Sequence, residues 1–86
     1  MIMIKDPYER EIESFYKEQI EWYNHEIEWY NHEIEWLSEQ IKREKYEGGY
    51  SLQGESYIKE RAKYYRIRKQ YKLNVNKYEK LLMKMA

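Results

Sequence analysis

Residues 21–36 read EWYNHEIEWYNHEIEW, and the unit E-I-E-W-Y-N-H returns after seven residues. Seven residues make about two turns of an α-helix, so each residue type returns to the same helix face. The repeat extends on both sides. If isoleucine is placed at position a of a heptad, position a holds Ile20, Ile27, Ile34 and Ile41. Position d then holds Tyr16, Tyr23, Tyr30 and Leu37. This heptad repeat predicts a helix with a coiled-coil seam.

The ends of the helices follow from local signals. Asp6 is a candidate N-cap, Pro7 suits the first helical position, and Glu9 completes a capping box. Nothing then interrupts the helix before Tyr46. All three glycines lie in EGGYSLQGES, residues 47–56, so the chain is expected to turn there, and either Ser51 or Gly54 can open the second helix. The sequence predicts one domain, residues 1–86, with a helix at about 7–46, a glycine-rich loop at about 47–54 and a helix at about 55–85.

The second helix carries a matching repeat. Tyrosine returns every seven residues, at Tyr57, Tyr64, Tyr71 and Tyr78. If the chain folds back at Gly49, facing residues have numbers that add to about 98. The expected layers are Ile41 with Tyr57, Ile34 with Tyr64, Ile27 with Tyr71, Ile20 with Tyr78, Tyr23 with Val75 and Tyr16 with Leu82. Arg68 and Arg61 are expected to lie along Tyr30 and Leu37. The predicted fold class is all-α: an antiparallel two-helix coiled-coil hairpin.

Composition agrees with an ordered chain that has an aromatic core. Ile, Leu, Val and Phe make up only 16 of 86 residues, but 11 Tyr and 3 Trp supply further apolar surface. There is no cysteine, which fits a reducing compartment. No apolar run approaches the ~20 residues of a membrane span, and no signal peptide is visible. We therefore expect a cytoplasmic, intracellular protein with no membrane partner.

The tryptophans lie outside the seam. Trp22, Trp29 and Trp36 occupy position c, about 100° from d. The predicted register places Ile67 and Leu81 on the same side of the hairpin, and we call these five residues the tryptophan strip. An apolar strip of this length is rarely left in water. The favoured interpretation is a homodimer seam that closes a four-helix bundle. The alternatives are a groove for another protein and a platform for a small molecule or a stacking ligand.

Charge is divided between the halves of a neutral chain. Residues 1–47 hold 13 acidic and 6 basic residues, and residues 48–86 hold 3 acidic and 10 basic residues. Exposed positions of the second helix form a basic stripe of Lys59, Lys63, Arg66, Lys77, Lys80 and Lys84. Positions b and f of the first helix form an acidic ridge of Glu18, Glu21, Glu28, Glu35 and Glu39.

Each charged surface has more than one interpretation. The basic stripe could bind nucleic-acid phosphates. A solvated face, or one paired with the acidic helix of another subunit, is favoured because no base-reading cluster is evident and the acidic helix opposes DNA. The acidic ridge could imitate DNA and block a nucleic-acid enzyme, an interpretation that rests on analogy.

Catalytic and metal chemistry find little support in the sequence. His25 and His32 each follow a glutamate by four residues, but they are about 10 Å apart along a helix and form no H-E-x-x-H motif. No phosphate-binding loop or Ser–His–Asp set is present, and no carboxylate is singled out. We predict no enzyme activity, no metal and no cofactor. The predicted function is a small non-catalytic, self-associating helical interaction protein, with a protein partner possible. Nucleic-acid binding is the first alternative, and inhibition of a nucleic-acid enzyme is the second.

Overall fold

The computed structural model describes residues 6–46 and 52–85, which form two long helices. Helix α1 is Pro7–Tyr46 and helix α2 is Leu52–Met85. The two helices pack against each other along a narrow rod, 16 × 14 Å across, and α2 is about 51 Å long. No strand occurs in the described ranges, so the all-α prediction of two packed helices is confirmed. Residues 47–51, where the turn was predicted, lie outside the described residues.

Helix α1 begins with a side-chain cap. The Glu9 backbone N–H donates to Asp6 Oδ1 at 3.0 Å, and the Arg10 N–H donates to the Asp6 carbonyl oxygen at 3.2 Å. These bonds satisfy backbone donors that a helix start leaves without partners. Pro7 occupies the first helical position, where its missing N–H is not needed. At the other end, Arg43 and Lys45 lie in the last turn, where positive charge stabilises the helix dipole.

Helix α2 begins earlier than the glycine pattern suggested. Its first residue is Leu52, which agrees with an opening at Ser51 rather than at Gly54, and residues 52–54 are helical rather than part of the loop. Gly54 is helical and buried. A helical glycine costs about 1 kcal/mol relative to alanine, but it allows a close approach that a side chain would prevent. The predicted register places Gly54 opposite the last turn of α1, where the two helices come together.

Ring contacts establish that the helices are antiparallel. Trp22 contacts Tyr71, Trp29 contacts Tyr64 and Trp36 contacts Tyr57. A step of seven residues up α1 therefore corresponds to a step of seven residues down α2.

Polar and aromatic pairs report the register. Arg61 hydrogen-bonds Ser38 and Arg68 hydrogen-bonds Asn31, and both pairs of numbers add to 99. Tyr71 contacts both Tyr23 and Tyr30, pairs whose numbers add to 94 and 101. The observed sums of 94, 99 and 101 lie on both sides of the value of about 98 that the sequence predicts.

The core is narrow and is deepest towards the turn. Among described apolar side chains, the buried ones are Ile34, Leu37, Ile41 and Val75, and Leu37 is only 1% exposed. All four occupy expected seam positions. Ile20, Ile27 and the seam tyrosines are half-buried. Two helices alone cannot enclose these side chains, so the seam remains open along both of its flanks.

One flank of the seam is polar. Arg61 donates to Ser38 Oγ at 3.1 Å, and Arg68 donates to Asn31 Oδ1 at 2.8 Å. We call these four residues the polar flank. The Arg68 guanidinium lies 5.1 Å from the centre of the Tyr65 ring on its own helix. The Arg68 guanidinium therefore does not make the expected cation–π contact with Tyr30, because it extends sideways to reach a neutral acceptor. Packing of the Arg68 stem along Tyr30 stays a prediction.

Candidate interaction surface

The opposite flank of the seam carries a ladder of aromatic rings. Each tryptophan ring lies against a tyrosine of α2, with centroid distances of 5.9 Å for Trp22–Tyr71, 6.0 Å for Trp29–Tyr64 and 5.7 Å for Trp36–Tyr57. Tyr23 and Tyr30 complete the first two groups, at 5.2 Å from Tyr71 and Tyr64. Such pairs contribute about 0.5–1.5 kcal/mol each beyond their burial. We call this side the aromatic flank.

The ladder continues towards the free end of the hairpin. Phe15 and Tyr16 both contact Tyr78, with centroid distances of 6.4 Å and 5.6 Å. Phe15 occupies the same heptad position as the tryptophans, seven residues before Trp22. The aromatic flank thus holds four rings in a row on α1, and all four lie on one side of the seam.

The tryptophans remain accessible in the hairpin. Trp22, Trp29 and Trp36 are 50%, 49% and 49% exposed. A buried aromatic side chain covers roughly 150–250 Å², so the three exposed halves leave about 300 Å² of indole surface. This is already the size of the largest apolar patch on a typical monomer, and such patches often mark contact sites.

The two aliphatic members of the tryptophan strip also border this flank. Ile67 lies between Tyr64 and Tyr71 in sequence, three and four residues away. Leu81 lies three residues after Tyr78. Residues three and four apart share a helix face, and each of these tyrosines contacts a Phe or Trp ring of α1. Ile67 and Leu81 are half-buried, so part of each apolar side chain remains available to a partner.

Two glutamates lie on the aromatic flank, and the sequence analysis did not single them out. Glu26 and Glu33 are half-buried and precede Trp29 and Trp36 by three residues. The hydrogen bond that the Tyr64 hydroxyl donates to Glu60 Oε1, at 2.8 Å, is the largest cause that raises the pKa of Tyr64, and burial is the second. The charge of Glu33 raises this pKa further. Burial raises the pKa of Tyr71 first, and the Glu26 charge adds to it. Only their heptad position g, beside the seam, could have indicated these carboxylates.

The basic stripe borders the aromatic flank. All six of its residues are exposed. Lys77, Lys80 and Lys84 line one shallow groove with Leu81, and Leu73 and Asn76 complete the groove. Leu81 therefore belongs to both surfaces. Within residues 6–46 and 52–85, no ion pair involves a residue of the stripe.

The acidic ridge follows other faces of α1. All five of its glutamates are exposed. Glu21, Glu28 and Glu35 each precede a tryptophan by one residue, about 100° around the helix. Glu21 and Glu28 line a shallow groove with His25, and Lys17, Ile20 and Asn24 complete its walls. The ridge and the tryptophans are therefore separate surfaces of one helix.

Metal and membrane sites were searched for in the described part of the chain. His25 and His32 are both exposed. Over residues 6–46 and 52–85 there is no group of three or more His, Asp or Glu residues able to hold a metal ion. Neither described helix contains a stretch long and apolar enough to cross a membrane.

Comparison of the chain with known protein families, with curated proteins and with solved structures finds no match. The aromatic flank, bordered by the basic stripe, is the candidate site.

Proposed function

We propose that the protein is a non-catalytic helical interaction protein that self-associates through its aromatic flank. Two hairpins would pack flank to flank and form a four-helix bundle. The observation that carries this proposal is the row of Trp22, Trp29 and Trp36, each about half exposed at a seven-residue spacing. A regular spacing suits a second helix, because a helix offers matching positions at the same interval.

The size of the flank supports a stable dimer. Helix α2 has 34 residues and is therefore about 51 Å long. Over that length a rod 16 Å wide offers roughly 800 Å² on one face. A standard protein interface takes about 800 Å² from each partner. One flank, used along the whole of α2, is therefore large enough.

Burial of the tryptophans would supply much of the driving force. Covering about 300 Å² of indole on each chain is worth ~15 kcal/mol for the pair at ~25 cal/mol per Å². Formation of the dimer costs ~4–15 kcal/mol of free energy, because the two chains lose translational and rotational freedom. Ile67, Leu81 and Phe15 add apolar surface on the same flank. The dimer would also give the half-buried seam residues the second layer that the hairpin lacks.

Light scattering on a sizing column tests the proposal. The wild type should have a mass near twice that of the 11.0 kDa chain. Changing Trp22, Trp29 and Trp36 together to Gln should give a monomer that remains helical by circular dichroism. The matched control changes Glu21, Glu28 and Glu35 to Gln, which alters three exposed residues with the same spacing on another face. The control should remain a dimer, and a monomeric wild type at high micromolar concentration would reject the proposal.

Binding of nucleic acid by the basic stripe is a second candidate function. The observation that favours it is the exposure of all six cations, three of which line one groove. Contacts to phosphates would make affinity fall with salt, with a log–log slope near −5 if all six take part. The acidic helix beside them should reduce the slope to about −2 to −3. Fluorescence anisotropy with a labelled duplex, across a salt series from ~50 mM, tests this. Changing Lys63, Arg66 and Lys77 to Glu should abolish the binding.

A further inference from the structure

We infer that in the dimer α1 of one chain packs against α2 of the other, around a two-fold axis parallel to the rod. This inference rests on the proposed self-association and specifies its geometry. It also gives the basic stripe a partner, which is the acidic helix of a second copy of this chain.

Two identical flanks can meet face to face around a two-fold axis in two ways. If the axis is perpendicular to the rod, α1 meets α1 and α2 meets α2. If the axis is parallel to the rod, each α1 meets the α2 of the other chain, and the two run in opposite directions. Both arrangements bury the tryptophans, so apolar surface alone does not choose between them.

Charge distinguishes the two arrangements. Residues 18–41 of α1 contain seven glutamates and no Lys or Arg. Residues 57–80 of α2, at the same level of the rod, contain nine Lys or Arg and two Glu. The perpendicular axis would place the acidic helix beside the acidic helix and the basic helix beside the basic helix. It would also bring Glu26 and Glu33 of both chains together with no cation opposite, whereas the parallel axis pairs acidic with basic helices.

The register across this dimer follows from its symmetry. Rotation about an axis parallel to the rod leaves every residue at its own height, so facing numbers add to about 98 across the interface as they do within one chain. Trp36, Trp29 and Trp22 then lie level with Lys63, Gln70 and Lys77 of the second copy. These three pairs have numbers that add to 99, and both rows repeat every seven residues.

The tryptophans of one copy and the lysines of the second copy that lie level with them are chemically complementary. A lysine stem packs along an indole ring, and its ammonium group is attracted to the ring face. Glu33, three residues from Trp36, supplies a carboxylate near the Lys63 ammonium. Ile67 lies three residues before Gln70 and would cover the central Trp29. Lys63 and Lys77 have no ion pair in the described hairpin, and the second copy would provide their partners.

Cysteine cross-linking tests the orientation, since the chain contains no cysteine. Trp29→Cys and Gln70→Cys are made as separate full-length variants with tags of different mass, then mixed and oxidised. The expected product is a disulfide-linked dimer that contains one chain of each variant. The matched control mixes Glu28→Cys with Gln70→Cys, whose numbers add to 98, and should not cross-link, because Glu28 lies at the same height as Trp29 but on another face.

Charge reversal tests the role assigned to the basic stripe. Lys63→Glu with Lys77→Glu should weaken the dimer by about tenfold or more, because α1 of the second copy is acidic. The matched control is Lys69→Glu with Lys72→Glu, which changes the net charge by the same amount. These two lysines line a groove with Tyr65 and Arg68, on the side of the polar flank. The control should change the dissociation constant by less than about threefold.

The possible failures of these tests are distinguishable. A wild-type dimer whose Trp29→Cys variant links to itself, with no mixed product, would overturn the parallel axis and leave self-association intact. Equal effects of the two lysine pairs would overturn the assignment of the basic stripe. A monomeric wild type would reject the proposed function itself.

Discussion

Leu37 offers the most direct test of the hairpin core, because it is the most deeply buried side chain of the described residues, at 1% exposed. Leu→Ala changes at buried sites cost about 2–5 kcal/mol. A thin core can partly collapse around the gap, so we expect about 2–3 kcal/mol here. Domains of this size have a total stability of roughly 4–13 kcal/mol, so the loss is a large fraction of it. The melting temperature should fall by about 10–20 °C.

The chain provides a matched control for this change. Leu73 is also helical but is 52% exposed, so Leu73→Ala removes the same atoms without opening a cavity. It should cost less than about 0.5 kcal/mol. Thermal and urea unfolding followed by circular dichroism, at one fixed protein concentration, measure both variants. Equal losses for the two variants, or an unchanged midpoint for Leu37→Ala, would refute the seam as the core.

Two further predictions concern the seam and its tyrosines. Ile27→Asp should lower stability by several kcal/mol, because it places a carboxylate in a layer of apolar side chains, and a thermal melt that matches the wild type would contradict this. Folding raises the pKa of Tyr64 and Tyr71 above the usual phenol value of about 10, so the folded state holds these protons more tightly. The resulting stability is complete below about pH 10 and is lost as pH rises through the folded pKa values. Glu60→Ala removes both the hydrogen bond to Tyr64 and the nearby charge, so the drop in melting temperature between ~pH 9 and ~pH 11 should be smaller in this variant than in the wild type.

Much of the architecture was accessible from the two seven-residue repeats. Isoleucine on one segment and tyrosine on the other can face each other throughout only if the segments are antiparallel, and the contact of Trp29 with Tyr64 agrees with that arrangement. The start of α2 was left open between Ser51 and Gly54, because glycine is a local signal for a turn. The structure begins α2 at Leu52 and makes Gly54 helical and buried.

Side-chain contacts were harder to predict than the helices. Arg68 was expected to lie along Tyr30, but the pattern did not indicate where its guanidinium would bind, since a long flexible side chain selects among several nearby partners. Here the guanidinium reaches Asn31 and Tyr65. Glu26 and Glu33 carry no hydrophobic signal. Their place beside the tyrosine hydroxyls appears only when the rings of α2 are in position.

The division of charge within a neutral chain is the feature that most strongly favours a second copy as the partner. Within residues 6–46 and 52–85, the side-chain bonds seen between the two helices join arginines to neutral groups. Arg61 and Arg68 donate to neutral acceptors across the seam, and Lys17 pairs with Glu13 within α1, at 3.0 Å. A nucleic acid would satisfy α2 but would be repelled by α1, which lies beside it along the whole rod. A second hairpin with α1 against α2 offers a cation to each acidic helix and an anion to each basic helix, while it covers the tryptophans of both chains.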